Sequence, residues 1–302
     1  MSRRLLAPRV APLVARPVAR LIGPLIAVAL LAGCASTPPP VEVAPGEVAP
    51  VEVAPGEVAP GDSSPVDLVN LWRVTDADGE SAETWLRLDA GEFQLWRDCG
   101  MIMGSWRASN GLMLASVFGS SGTCAADTLP VVGWLESVEA FVKTADGFTL
   151  ADAAGSPVAS LTIDGAPDPI PDAADFYAEP PEVTDDTRAY FAATDPLPSS
   201  LTVASHEGQW AAEGTDVSTG AGVEFAADGT WTGSDGCNGG SGRWAADASG
   251  GFLATSGVST LMACEGTSVP SWVAQARLAG FDGDVLVLLD RDGGELGRLV
   301  KG

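Results

Sequence analysis

The chain has 302 residues, 40 of them acidic and 16 basic, for a formal net charge of −24, with a single histidine and five cysteines. That balance disfavours nucleic acid, whose phosphates are held by clustered Lys and Arg. One histidine also excludes any metal site or relay built on several.

The N-terminus reads as an export signal over residues 1–33. Arg3, Arg4, Arg9, Arg16 and Arg20 precede an apolar run from Leu21 to Gly33, with no acid before Cys34. Its 13 residues fall short of the roughly 18 or more expected of a membrane-spanning helix. The run ends in Leu31-Ala32-Gly33-Cys34, which resembles the bacterial lipobox. That resemblance implies a diacylglyceryl group on Cys34 and attachment of an extracytoplasmic protein to the cell membrane. Two acyl chains anchor stably where one holds only marginally. Ser2-Arg3-Arg4-Leu5-Leu6 also resembles a twin-arginine export motif, so the general secretory and twin-arginine routes both stay open. Loss of residues 1–33 takes away five basic residues and no acid, deepening the charge to −29. Anionic headgroups would repel such a body, so membrane contact is expected through the lipid.

Residues 34–65 read as a disordered stalk. Pro38-Pro39-Pro40 precedes the decapeptide Val-Glu-Val-Ala-Pro-Gly-Glu-Val-Ala-Pro, written twice over residues 41–60. Proline biases it toward extended geometry, and Glu42, Glu47, Glu52 and Glu57 repel one another. At about 3.1 Å per residue it would reach on the order of 90 Å.

A repeat organises the rest. Trp72, Cys99, Trp106 and Trp134 recur 138 residues later as Trp210, Cys237, Trp244 and Trp272. This sets two modules, 66–165 and 201–302, separated by a Pro-rich acidic connector, 166–200. Each reads as short strands around Asp-Gly turns. Trp85–Leu88 and Glu92–Leu95 flank Asp89-Ala90-Gly91, and Val223–Phe225 and Thr230–Thr232 flank Ala226-Ala227-Asp228-Gly229. The expected class is mainly β (α+β), each module an antiparallel sheet or open barrel with one packed helix. In the first, Trp134, Leu135, Val138, Phe141 and Val142 have helical spacing after Pro130. In the second, the helix is expected from Val269 to Ala279 with Gly280 as its stop. In the connector, Phe176, Tyr177, Tyr190 and Phe191 are expected to pack on a module, with a short helix over 184–193.

Apart from Cys34, four thiols remain, and they allow three pairings. If the copies share a fold, each closes its own bond: Cys99 with Cys124, and Cys237 with Cys264. Such loops add about 3 to 4 kcal/mol in the chain-entropy model. Redox chemistry is disfavoured by the lack of a Cys-x-x-Cys motif.

The second module carries Asp228-Gly229, then Gly236-Cys237-Asn238, then Gly242-Arg243-Trp244, then Thr260-Leu261-Met262-Ala263-Cys264. This series is similar to the META domain pattern. The resemblance implies a small, mainly β fold with a packed helix, found in heat-inducible and envelope-associated bacterial proteins, with no established chemistry. The first module keeps the Cys and Trp frame but has Asp98-Cys99-Gly100 for Gly-Cys-Asn, so it reads as a diverged relative.

No catalytic residue, metal site or cofactor is assigned. His206 stands beside Glu207 just before a strand, where a solvated residue is expected. Asn238-Gly239-Gly240-Ser241-Gly242 lacks the following Lys of a phosphate loop, and a tight β corner explains it better. Met101-Ile102-Met103 stands at the equivalent bend, where burial is favoured over a sticky surface. Asp290-Arg291-Asp292-Gly293 lacks the alternating ligands of a calcium loop. The leading reading is a non-catalytic, lipid-anchored envelope protein with a protein partner in the envelope and a role in envelope maintenance or stress. Its alternatives are an extracytoplasmic carboxylate-dependent hydrolase and a small-ligand-binding lipoprotein. The oligomeric state is not legible.

Overall fold

The computed structural model describes residues 63–125, 128–169, 173–215, 220–260, 262–263 and 266–302. The signal, Cys34, the stalk up to residue 62, and Cys264 lie outside the described residues. Everything described belongs to one compact unit spanning 54–302.

The first module is an up-and-down antiparallel barrel. Its strands are β1 (Asn70–Thr75), β2 (Trp85–Leu88), β3 (Glu92–Arg97), β4 (Gly100–Ser109), β5 (Leu112–Ser120), β6 (Ala140–Lys143), β7 (Gly147–Ala151) and β8 (Pro157–Thr162). They follow one another round the sheet, and β8 returns to pair with β1, for example Val74 opposite Leu161. The expected antiparallel sheet is present and here closes fully into a barrel, which removes the sheet edges that would otherwise template aggregation. Eight strands leave an interior just wide enough for side chains. Here it is packed with Leu86, Leu88, Phe93, Ile102, Trp106 and Leu161, all buried.

The connector carries a short helix, α2 (Asp185–Tyr190), whose start is capped by Thr184 Oγ1 accepting from the Thr187 N–H at 3.1 Å. The second module then repeats the order: β9 (Gly208–Ala212), β10 (Ala221–Phe225), β11 (Thr230–Asp235), β12 (Gly239–Ala246), β13 (Phe252–Ala254), β14 (Leu278–Asp282), β15 (Val285–Leu289) and β16 (Glu295–Lys301). Strand β9 pairs with both β10 and β16. The two remaining edges, β13 and β14, meet only briefly, where Phe252 N–H donates to Arg277 O at 2.8 Å and Ala279 N–H to Gly250 O at 2.9 Å.

Equivalent positions make equivalent bonds. Trp72 Nε1 donates to Leu68 O at 2.7 Å, and Trp210 Nε1 donates to His206 O at 2.7 Å. Trp106 N–H reaches Gly91 O at 3.1 Å, and Trp244 N–H reaches Gly229 O at 2.8 Å. The expected Asp-Gly hairpins are present at β10–β11, β14–β15 and β15–β16, and Asp146-Gly147 joins β6 to β7. At Asp290, Oδ1 accepts from the N–H groups of Asp292 and Gly294 at 3.0 and 2.7 Å, a turn that needs no cation.

The helices are shorter than their sequence spacing implies. In the first module α1 covers only Gly133–Ser137. Phe141 and Val142 belong to β6, where Phe141 packs inward 6.0 Å from Phe148 and Val142 faces out. Apolar residues next to each other on a helical stripe also fit a helix that hands over to an alternating strand, and barrel closure selects the strand. In the second module α3 covers Val269–Gln275, with Pro270 in its first turn as expected. Gly280 does not stop it but lies inside β14, where an added Cβ would come within 2.9 Å of Leu201 Cβ. Trp134 and Trp272 each lie on the helix that precedes the sixth strand of their module.

The barrels pack against each other through equivalent strands, β4 against β13 and β5 against β12. Ser116 Oγ and Thr255 Oγ1 hydrogen-bond at 2.6 Å, Ser105 Oγ donates to Ser256 O at 2.6 Å, and Arg243 donates to Val138 O at 2.8 Å and pairs with Glu139 at 3.2 Å. Like meets like here, the pattern of an isologous dimer interface joined into one chain. The connector tightens it. Phe191 enters the first core 5.0 Å from Trp106, Tyr177 covers Trp85, Trp96 and Met101 on the outer face, and Phe176 stays exposed. The Tyr190 ring lies 5.2 Å from the Arg107 guanidinium of one barrel and 5.4 Å from Arg277 of the other. Burial and the neighbouring Arg277 lower the Arg107 pKa to about 10.

Cys99 and Cys124 are joined across 25 residues, as the repeat requires. Replacing both by alanine is expected to cost about 3 to 4 kcal/mol in urea unfolding, the loop-closure entropy of that span. Arg243→Ala is expected to cost about 1–3 kcal/mol by orphaning the buried Val138 carbonyl and Glu139. The same urea titration would show it.

Candidate functional site

The residues that carry the family resemblance assemble two structures, a turn and a corner. At the turn, Asp228 Oδ1 accepts from the Thr230 N–H at 3.0 Å and from its hydroxyl at 2.6 Å. These bonds hold the Asp228 carboxyl below the usual carboxylate range. Gly229 follows with φ +78°, a conformation that a side chain would strain. Its carbonyl then accepts from Trp244, whose indole Nε1 donates to Ala226 O at 3.1 Å. Asp228, Gly229 and Trp244 therefore build the hairpin.

The corner lies between β11 and β12. Asp235 Oδ1 accepts from the N–H groups of Cys237 and Asn238 at 2.7 and 2.5 Å, and these bonds lower its pKa. Gly236 has φ +96°. Asn238 Nδ2 donates to Asp235 Oδ2 at 3.2 Å and to Met262 O at 3.1 Å, while its Oδ1 accepts from Met262 N–H at 2.5 Å. Thr260 Oγ1 accepts from Gly239 N–H at 2.9 Å, and Thr260 N–H donates to Gly239 O at 3.1 Å. Asn238 and Thr260 thus tie the segment after β13 to the corner. Cys237 is disulfide-bonded.

Beside this corner opens a groove of about 350 Å³. It is lined by Trp231, Gly239 and Gly240, by Ser256, Ser259 and Thr260 after β13, and by Ser268, Pro270 and Ser271 at the start of α3. Asp235 is the only charged residue lining it among the described residues. Trp231 is itself buried, with Nε1 donating to Thr255 O at 2.9 Å, and Gly242 is the glycine that gives its ring room.

The equivalent place in the first module is built from larger side chains. Met101, Ile102 and Met103 stand where the second has Gly239, Gly240 and Ser241. Ile102 is fully buried in the first core, and Met101 packs with Trp85 and Trp96 on the outer face. The three residues lie within β4, so the bend expected there is a continuous strand.

Fold and corner together define the class: tandem eight-stranded antiparallel barrels, each with a helix between its fifth and sixth strands. The META domain family model matches residues 201–301, so the C-terminal module is a META domain. The match does not reach the first module, whose kinship rests on shared strand order and equivalent bonds. No curated protein and no solved structure matches the chain.

The remaining candidates fall elsewhere. His206, expected in solvent, is 3% exposed and packs among Phe281, Phe252 and Trp244 at 5.6, 5.9 and 6.1 Å. The signal for this was present in the repeat, because His206 stands 138 residues after Leu68, a core residue. Among the described residues no group of three or more His, Cys, Asp or Glu is arranged to hold a metal ion. At the junction Glu139 pairs with Arg243, and Asp247 of the second barrel accepts a side-chain hydrogen bond from Asn110 of the first.

Burial lowers the His206 pKa, opposed by its bond to the Ala279 backbone, and its Nε2 has no hydrogen-bond partner among the described residues. The fold thus favours the neutral ring. That stability is complete above the unfolded pKa near 6.5 and is lost as pH falls toward the lower folded value. His206→Leu, the residue of the first module, is expected to flatten the fall in urea midpoint on acidification below pH 6.5 relative to the parent chain.

Proposed function

We propose that this is a lipid-anchored protein of the bacterial cell envelope that acts by binding, without catalysis. The observation that carries the reading is Leu31-Ala32-Gly33-Cys34 closing a short apolar run behind five arginines. The diacylated Cys34 would hold the chain at the membrane, and the repelling, proline-rich stalk would hold the barrels clear of it. A disulfide within the first barrel suits an oxidising compartment outside the cytosol. The META domain at 201–301 is compatible with an envelope-associated, non-catalytic role. No helix among the described residues is long and apolar enough to cross a membrane, and the anchor assigned to Cys34 requires none.

Barrels locked by Ser116–Thr255, Arg243–Glu139 and the Tyr190 clamp present one continuous surface. Such a body suits contact with a second envelope component, which crosslinking on intact cells would identify. Cys34→Ser is expected to move the protein from the membrane fraction to the soluble one and to abolish incorporation of labelled palmitate. An unmodified Cys34 in the parent protein would sink the proposal.

A further inference from the structure

We propose that the groove beside the Asn238 corner binds an uncharged, polyhydroxylated ligand, a short saccharide. The groove binds such a ligand whatever anchors the chain.

Its existence is a matter of missing side chains. A Cβ on Gly240 would stand 3.0 Å from Pro270 Cβ and 3.3 Å from Trp231 Cη2, so any larger residue fills the space. The first barrel shows the filled alternative, because Ile102 occupies the matching position and is fully buried. A glycine inside a strand forfeits packing and costs backbone entropy on folding, and Gly240 is half-buried in β12. The second barrel thus carries a cost that the first avoids, and what it gains is an opening of about 350 Å³. That volume falls within the range of small-ligand sites, about 300–1,000 Å³.

The lining selects the ligand. Ser256, Ser259 and Ser268 line the groove, and none of their hydroxyls makes an intramolecular hydrogen bond among the described residues, so each offers a donor and an acceptor. Pro270, half-buried, supplies an apolar surface for the C–H face of a sugar ring, over the buried Trp231. Among the described residues no cation lines the groove, and the one charged side chain that does, Asp235, is held as an anion. Phosphates and carboxylates are therefore repelled. A cationic ligand gains little, because both Asp235 oxygens already accept bonds from Cys237 and Asn238. What fits is a neutral ligand rich in hydroxyls that exchanges its water for serine hydroxyls.

The test is calorimetric titration of the purified full-length protein with cellobiose, maltose and N,N′-diacetylchitobiose, against glucuronate and inorganic phosphate. Saturable binding of at least one neutral disaccharide, with neither anion bound, is expected. Ser259→Ala combined with Ser268→Ala removes two exposed hydroxyls that hold nothing in the fold. It should weaken binding by about tenfold or more at unchanged thermal midpoint. Gly240→Val should abolish binding. Failure of all three disaccharides to bind, preferential binding of an anion, or full affinity in the double serine variant would overturn the assignment. The serine pair keeps the test decisive if the valine disturbs the barrel.

Discussion

Gly104 in β4 and Gly242 in β12 each leave room for an aromatic ring from the preceding strand, Phe93 and Trp231, and for a carbonyl of the segment that follows, Ser116 O and Thr255 O. A Cβ at either site would collide with both neighbours. In the first barrel the β4–β5 register shifts at this close approach, between Met103 and Gly104, and the next residues along in the two barrels, Ser105 and Arg243, reach the junction. Ser105 bonds Ser256 there, and Arg243 bonds Val138 and Glu139. One steric constraint, applied twice, therefore shapes each barrel and presents the residues that join them. The core, the junction and the groove all take their positions from it.

The junction explains why two small barrels behave as one unit. Each contributes equivalent strands, so the contact resembles a homodimer interface, with the connector wedged across it. In a protein so rich in acid, Arg107 and Arg277 are spent on the two barrels' hold on Tyr190. Burial lowers both pKa values, and for Arg107 the nearby Arg277 lowers it further. That cost is offset by cation–π contact and by the bond from Arg107 to the Tyr190 hydroxyl. The connector is thus a structural part of the body.

Divergence between the copies is concentrated where burial can be traded for access. Both keep the indole bond of the first strand and the turn bond to the central tryptophan, because each satisfies a buried donor. Copy one fills its corner with Ile102 and flanks it with Met101 and Met103, whereas copy two places Gly239 and Gly240 there and walls the space with hydroxyls. The same scaffold has become a packed support in one half and an open groove in the other.

Much of this was written in the chain itself. The 138-residue offset, the Asp-Gly turns, the alternating strands and the Cys99–Cys124 pairing follow from local periodicity, backbone conformation and the demand that two copies share one fold. These are properties of neighbouring residues or of a repeat, so a linear reading reaches them. The tertiary structure alone decided that Phe141 joins a strand, that Gly280 admits Leu201, that His206 is enclosed by aromatic rings, and that Gly240 opens a groove. Each of these depends on what residues distant in sequence bring to one point, and burial is a sum over such neighbours that no local pattern contains.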